Sequence, residues 1–295
     1  MRRFAERYLL EWFLQLRSIW TVGAVGVLLA VLVAGSFSTF GFIRSMQPTL
    51  AAVEQREGSA FAGWVARDAE AAPFRNDLAG IQPNMGPNLY LAILGAVGPL
   101  IATIWAASVV GAEFGRRTVR LRAAHDGWRA SIAAKHVMIL SAVLVCAVAA
   151  PLLGVVAGRF TWMAFARQMP ALSTLSLPQP EYSPITAAAV VVSGVLFYAL
   201  LGSAIALITR STAAGIVGGL AIPYLEGLAG QWWLPQAAYG FLLKQSLAYH
   251  DGAFVNAPAV PHAPSSVAVA VGVMAVWLLA VVVGSQFVAS RQEIS

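Results

Sequence analysis

The sequence predicts an all-α, multi-pass membrane protein with six transmembrane helices, and three observations carry that prediction. Residues 18–43, 78–112, 137–158, 182–209 and 263–290 contain no Asp, Glu, Lys, Arg or His, and 211–225 is a shorter run of the same kind. A helix rises about 1.5 Å per residue, so roughly 20 apolar residues cross a hydrocarbon layer about 30 Å thick. Composition agrees: 59% of the 295 residues are hydrophobic, 11% are charged, and the mean hydropathy is +0.72, far from the balance of a soluble domain. The third observation is that the 19 Lys and Arg residues are distributed unevenly among the connecting segments, a bias that the positive-inside rule turns into an orientation.

Taken in order, residues 1–17 read as an amphipathic interfacial helix. Phe4, Tyr8, Leu9, Trp12, Phe13 and Leu16 recur at helical spacing, while Arg3, Glu6, Arg7, Glu11 and Gln15 fill the opposite side, the pattern of a helix lying along a membrane surface. Continuation of the first span into the cytoplasm is the alternative. Arg7, Glu11 and Arg17 interrupt the place where the apolar region of a cleavable signal peptide would sit. The spans are expected at 18–43, 88–112, 137–158, 185–209, 211–229 and 265–290, all within one transmembrane domain covering 1–295. The segment 44–87 is rich in Ala, Gly and Pro and has room for no more than a small helical cap.

The region after Pro223 is harder to read. Glu226 ends a short uncharged run, and Gln231, Trp232, Trp233, Pro235 and Lys244 punctuate the apolar piece that follows. Tryptophans favour the interface, and a full crossing would force Lys244 or Glu226 toward lipid. Residues 227–249 are therefore expected to form re-entrant helices dipping into the outer leaflet, with a seventh crossing as the alternative. Glu226, Trp232, Trp233 and Pro235 mark this outer re-entrant region as a candidate part of a translocation path, with Glu226 expected as a wetted residue at the outer interface and a functional carboxylate deep in a span as the alternative.

With the N-terminus in the cytoplasm, Arg2, Arg3, Arg7, Arg17, Arg116, Arg117, Arg120, Arg122, Arg129, Lys135, Arg210 and Arg291 fall inside. The other seven bases, Arg44, Arg56, Arg67, Arg75, Arg159, Arg167 and Lys244, fall outside, and both termini are expected to be cytoplasmic. The net charge of +6 follows from this asymmetry. Without a basic patch interleaved with aromatics it does not point to nucleic acid.

Enzyme signatures are missing from the sequence. HExxH, GxSxG and GxxxxGK[ST] do not occur, and neither lysine, Lys135 or Lys244, follows a glycine-rich loop, so the chain carries no P-loop for ATP. The histidines 125, 136, 250 and 262 fall on both sides of the expected membrane, which gives no shared metal or haem site. The single cysteine, Cys146, lies inside an apolar run and reads as a packed thiol.

The densest polar segment is the cytoplasmic loop 113–136. Glu113 and Arg117 stand i,i+4 with the acid first, Arg116 and Arg120 share a neighbouring face, and Asp126-Gly127 breaks the helix before Trp128 leads into the third span. Read from the residues alone, this is a short helix held sideways at the membrane surface, and an ordinary basic cluster touching anionic lipid accounts for it. Glu113-Phe114-Gly115-Arg116-Arg117-Thr118-Val119-Arg120, followed by Arg129 and Ala134-Lys135, resembles the loop between the second and third spans of type-2 ABC transporter permeases. That family shows an acid-aromatic-x-x-Gly-Thr-x-Arg pattern followed by a basic residue and an Ala-Lys pair. The resemblance extends to the six-span layout, the N-terminal helix and the Leu234-Pro235 segment. One departure is Arg117, where the family's glycine stands before the threonine.

The resemblance implies a transporter subunit without an ATPase site of its own. Glu113, Phe114, Arg116, Arg117, Thr118, Arg120 and Arg129 would form a coupling helix and its flank, seated on a separate cytoplasmic ABC ATPase that holds ATP and magnesium. A second permease copy or homologue would complete the pathway in the cytoplasmic membrane of a prokaryote, with export as the family's usual direction. Pro99, Gly95 and Gly98 in the second span are then candidate bending points, or ordinary close-packing positions. A stand-alone carrier or channel is the alternative function. A membrane-embedded enzyme is a third, weakened by the lack of paired acids or nucleophiles within the spans.

Overall fold

The computed structural model describes residues 2–67, 82–115, 127–167, 183–249, 252–253 and 263–294. In chain order its elements are α1 (Arg2–Leu16), α2 (Ile19–Glu57), a 3-10 turn (Gly58–Ala60), α3 (Phe61–Arg67), α4 (Gly86–Gly115) and α5 (Trp128–Ala166). They continue with α6 (Pro184–Thr209), α7 (Thr212–Ala229), α8 (Pro235–Ser246), the two-residue strands β1 (Ala248–Tyr249) and β2 (Gly252–Ala253), and α9 (Val267–Ile294). β1 and β2 pair antiparallel, Ala248 opposite Ala253.

Six of these helices are long and apolar enough to cross a membrane: α2, α4, α5, α6, α7 and α9. α8, with 12 residues, rises about 18 Å and is too short for a seventh crossing. Several helices outrun the uncharged stretches that announce them. α2 passes Arg44 and Pro48 and ends at Glu57, and α5 begins at Trp128 and reaches Ala166. Charge limits how deep a residue can sit in hydrocarbon, but Arg, Glu and Lys are all good helix formers, so the backbone continues past the membrane. Breaks come instead from caps. Ser18, Ser183 and Ser211 each accept a backbone N–H at the start of α2, α6 and α7, and Gly127, at φ 80°, precedes α5.

α4 and α6 form the heart of the bundle, with 61% and 67% of their apolar windows buried against 11% for α2, α7 and α9. Leu91, Leu94, Val191, Val195 and Phe197 lie in one core cluster, which Tyr239, Leu242 and Leu243 of α8 and Met274 of α9 complete. Two close approaches fix the geometry. A Cβ on Gly86 would lie 2.0 Å from the Gly154 carbonyl oxygen, and one on Gly154 would lie 2.3 Å from that of Gly86, so α4 and α5 touch backbone to backbone. On α6, a Cβ on Gly194 would meet the Tyr239 ring at 2.1 Å, so only glycine leaves the slot that α8 fills.

α1 is a separate helix from α2. Leu9, Leu10, Phe13 and Leu16 are exposed on the protein, as the apolar face of a helix beside lipid would be, but Glu11, expected on the polar face, is 3% exposed. The Tyr8 hydroxyl donates to Ser141 Oγ of α5 at 3.0 Å. Beside a membrane the usual partition inverts: apolar side chains can face lipid, while a carboxylate is satisfied only against the protein.

Candidate functional site

Two polar centres stand out among the described residues of this apolar bundle. The first lies at the end of the bundle that carries the 116–126 connection. Lys135, two turns into α5, is 1% exposed, and its ammonium lies 2.9 Å from Glu11 Oε2 of α1 and 2.8 Å from Glu113 Oε1 of α4. It also donates to the Val109 carbonyl at 3.3 Å. An ammonium has three N–H donors, and three acceptors from two neighbouring helices meet them. An unpaired charge would be costly in such surroundings, so the ion set ties α1, α4 and α5 into one unit.

On the other flank of this end, Phe114 packs edge-on against Trp128 with centroids 5.7 Å apart. Trp128 is fully buried and its indole N–H donates to Gln292 Oε1 of α9 at 3.1 Å. Gln292 in turn donates to the Leu207 carbonyl at 3.0 Å, one of the last-turn carbonyls of α6 that have no helical partner. Arg129 is exposed in the first turn of α5. Arg116, Arg117, Thr118 and Arg120 lie outside the described residues.

The second centre surrounds Glu226, in the last turn of α7. Its Oε2 accepts the Gln236 backbone N–H at 2.9 Å, and the Tyr198 hydroxyl lies 3.3 Å from the same oxygen and 2.7 Å from Gln236 Oε1. α8 starts at Pro235, which has no N–H, and its N-cap residue Leu234 cannot accept a hydrogen bond with its side chain. Glu226 therefore caps α8 from a neighbouring helix, where a carboxylate also meets the positive end of the helix dipole. Tyr198 stands near the middle of α6, so the half-buried Glu226 is held against the flank of a long apolar helix by a hydroxyl that the sequence does not reveal as its partner.

α8 is docked by a defect in α4. Pro99 lacks the N–H that would bond the Gly95 carbonyl, and the Tyr239 hydroxyl donates to that carbonyl at 2.8 Å instead. Gly95 and Pro99 thus receive α8, and Thr103 bridges Pro99 O at 2.7 Å and Tyr198 O at 3.0 Å. Of the two tryptophans flagged in the sequence, Trp233 stacks on Trp277 of α9 with centroids 6.4 Å apart and accepts its indole N–H at 3.0 Å through the backbone oxygen. Trp232 is half exposed.

Sequence reasoning did not select Glu11, Lys135, Tyr198, Gln236, Tyr239 or Trp277 as site residues. A usable signal existed for the first pair: Glu11 shares the i,i+3,i+4 face of Tyr8 and Trp12, and a charge on an aromatic face needs a buried partner. Among the described residues no group of His, Cys, Asp and Glu is arranged to hold a metal ion.

Fold and centres together define a multi-pass helical membrane protein. No protein-family model, curated protein or solved structure matches this chain.

Proposed function

We propose that this chain is the membrane-spanning permease subunit of an ABC transporter, exporting its substrate across the cytoplasmic membrane of a prokaryote with ATP hydrolysed by a separate ATPase subunit. One observation supports this above the others: the Glu11–Lys135–Glu113 ion set joins the surface helix α1 to the two spans that enter and leave the 116–126 connection. A push on that connection would reach α4 and α5 together, as coupling to an external motor requires. The motif around Glu113, Phe114, Arg116, Arg117, Thr118, Arg120 and Arg129 supplies the contact surface for the ATPase. Both termini are then cytoplasmic.

At the other end, α8 acts as a re-entrant helix. Its first turn meets Glu226 and Tyr198 at depth, and it rises from there along α4 and α6 toward the outer surface. Every buried backbone group at such a depth has to be satisfied by protein, and Glu226 on the Gln236 N–H does so at the turn.

The test is purification of the chain from its native membrane in mild detergent, followed by mass spectrometry of bound proteins. The expected result is one P-loop ATPase per permease, lost on reversing Arg116 and Arg120 to Glu. Those two positions are preferred to Glu113, whose removal would also disturb the Lys135 ion set. A folded chain that purifies without an ATPase and transports alone in liposomes would overturn this reading and establish a stand-alone carrier.

A further inference from the structure

A cavity of about 280 Å³ lies between α1, α2, α4, α5 and α6, just under the roughly 300–1,000 Å³ of sites for drug-sized ligands. Leu16, Ala24, Ile101, Ala142 and Cys146 are among the residues that line it. Its walls offer almost nothing polar. The Thr21 hydroxyl accepts the Trp105 indole N–H at 2.9 Å, so that indole donor is already occupied. A ligand that needs hydrogen bonds would lose them on entry, whereas a hydrocarbon chain would lose nothing.

The cavity also opens sideways. Leu16, Val25 and Val145 on its border are exposed, and the apolar part of α2 that forms one wall is only 11% buried. The mouth therefore faces the bilayer. At the joint between α1 and α2, directly after Leu16, stands Arg17. It is exposed, its guanidinium lies 4.1 Å above the Phe13 ring, and it makes no ion pair with a carboxylate among the described residues. A cation next in the chain to the lining residue Leu16 of a hydrocarbon-lined slot suits a molecule with an anionic head and an apolar tail.

We infer that this cavity is a binding site for one acyl chain of an anionic phospholipid from the leaflet on the α1 side, with Arg17 holding the headgroup. The lipid chain would fill the gap between α2 and the α4–α5 pair, where the protein supplies no side chain of its own. Cys146, the only cysteine in the chain, lines the cavity and makes the inference testable without altering the fold.

In native mass spectrometry of the chain purified in mild detergent, one retained phospholipid is expected, enriched in anionic headgroups. After delipidation, alkylation of Cys146 with N-ethylmaleimide should block rebinding of added phosphatidylglycerol, and Ala142→Phe should do the same. Arg17→Gln should keep a bound phospholipid while losing the preference for phosphatidylglycerol over phosphatidylcholine. Failure of the untreated chain to retain or rebind any phospholipid would overturn the inference, as would rebinding unchanged by both Cys146 alkylation and Ala142→Phe. The alkylation experiment uses protein that has already folded, so a folding defect in Ala142→Phe leaves the test intact.

Discussion

Two carboxylate centres among the described residues, at Lys135 and at Tyr198, are satisfied in different ways. Glu11 and Glu113 face an ammonium, with Lys135 Nζ 2.9 and 2.8 Å away, whereas Glu226 faces the neutral Tyr198 hydroxyl and the Gln236 N–H at a helix start. An ion set in low dielectric is tightly interdependent, because removing one partner strands the others. A capped helix end loses only one hydrogen bond when its partner changes. The loop end of the bundle is therefore the more tightly interdependent of the two, and the α8 end the one that a single change disturbs less.

Lys135→Met is expected to cost the most. It leaves Glu11 and Glu113 without their cation, and the expected loss is about 3–5 kcal/mol, read as a lower unfolding midpoint in detergent or as failure to accumulate in the membrane. Glu226→Ala removes the cap of α8 at an expected cost of about 1 kcal/mol. Faster hydrogen exchange at amides 235–239, with α4 and α5 unchanged, would register it. Smallest is Tyr198→Phe, which deletes one hydroxyl shared between Glu226 and Gln236 but leaves the Glu226 cap on the Gln236 N–H in place, for about 0.5 kcal/mol. A loss from Lys135→Met no larger than that from Tyr198→Phe would show that the loop-end ion set is no clamp.

What the sequence made legible was depth. Runs without charge, such as 182–209 and 263–290, correspond to α6 and α9 because hydrocarbon excludes ions whatever the fold. Helix ends were less legible, since α2 crosses Arg44 without a break and membrane limits are not helix limits. The centres were least legible of all. Lys135 is 124 residues from Glu11, and Tyr239 is 144 residues from Gly95; no periodicity links such positions. Pro99 was visible as an anomaly within a span, but its consequence, a carbonyl left for Tyr239, depends on α8 lying alongside. The cavity beside Cys146 belongs to the same category, because it exists only through the relative rotation of five helices.

α4 is joined to α5 near both of its own ends. At one, Gly86 and Gly154 bring the two backbones into contact; at the other, Glu113 is held by Lys135. Between Gly86 and Glu113 the helix rises about 40 Å. Two rods riveted at a single point can scissor, but two rods riveted at both ends form a stiff frame that can tilt only as a whole. Work delivered to one end of that frame is therefore not absorbed by shear between its members, and reappears as displacement at the far face of the bundle.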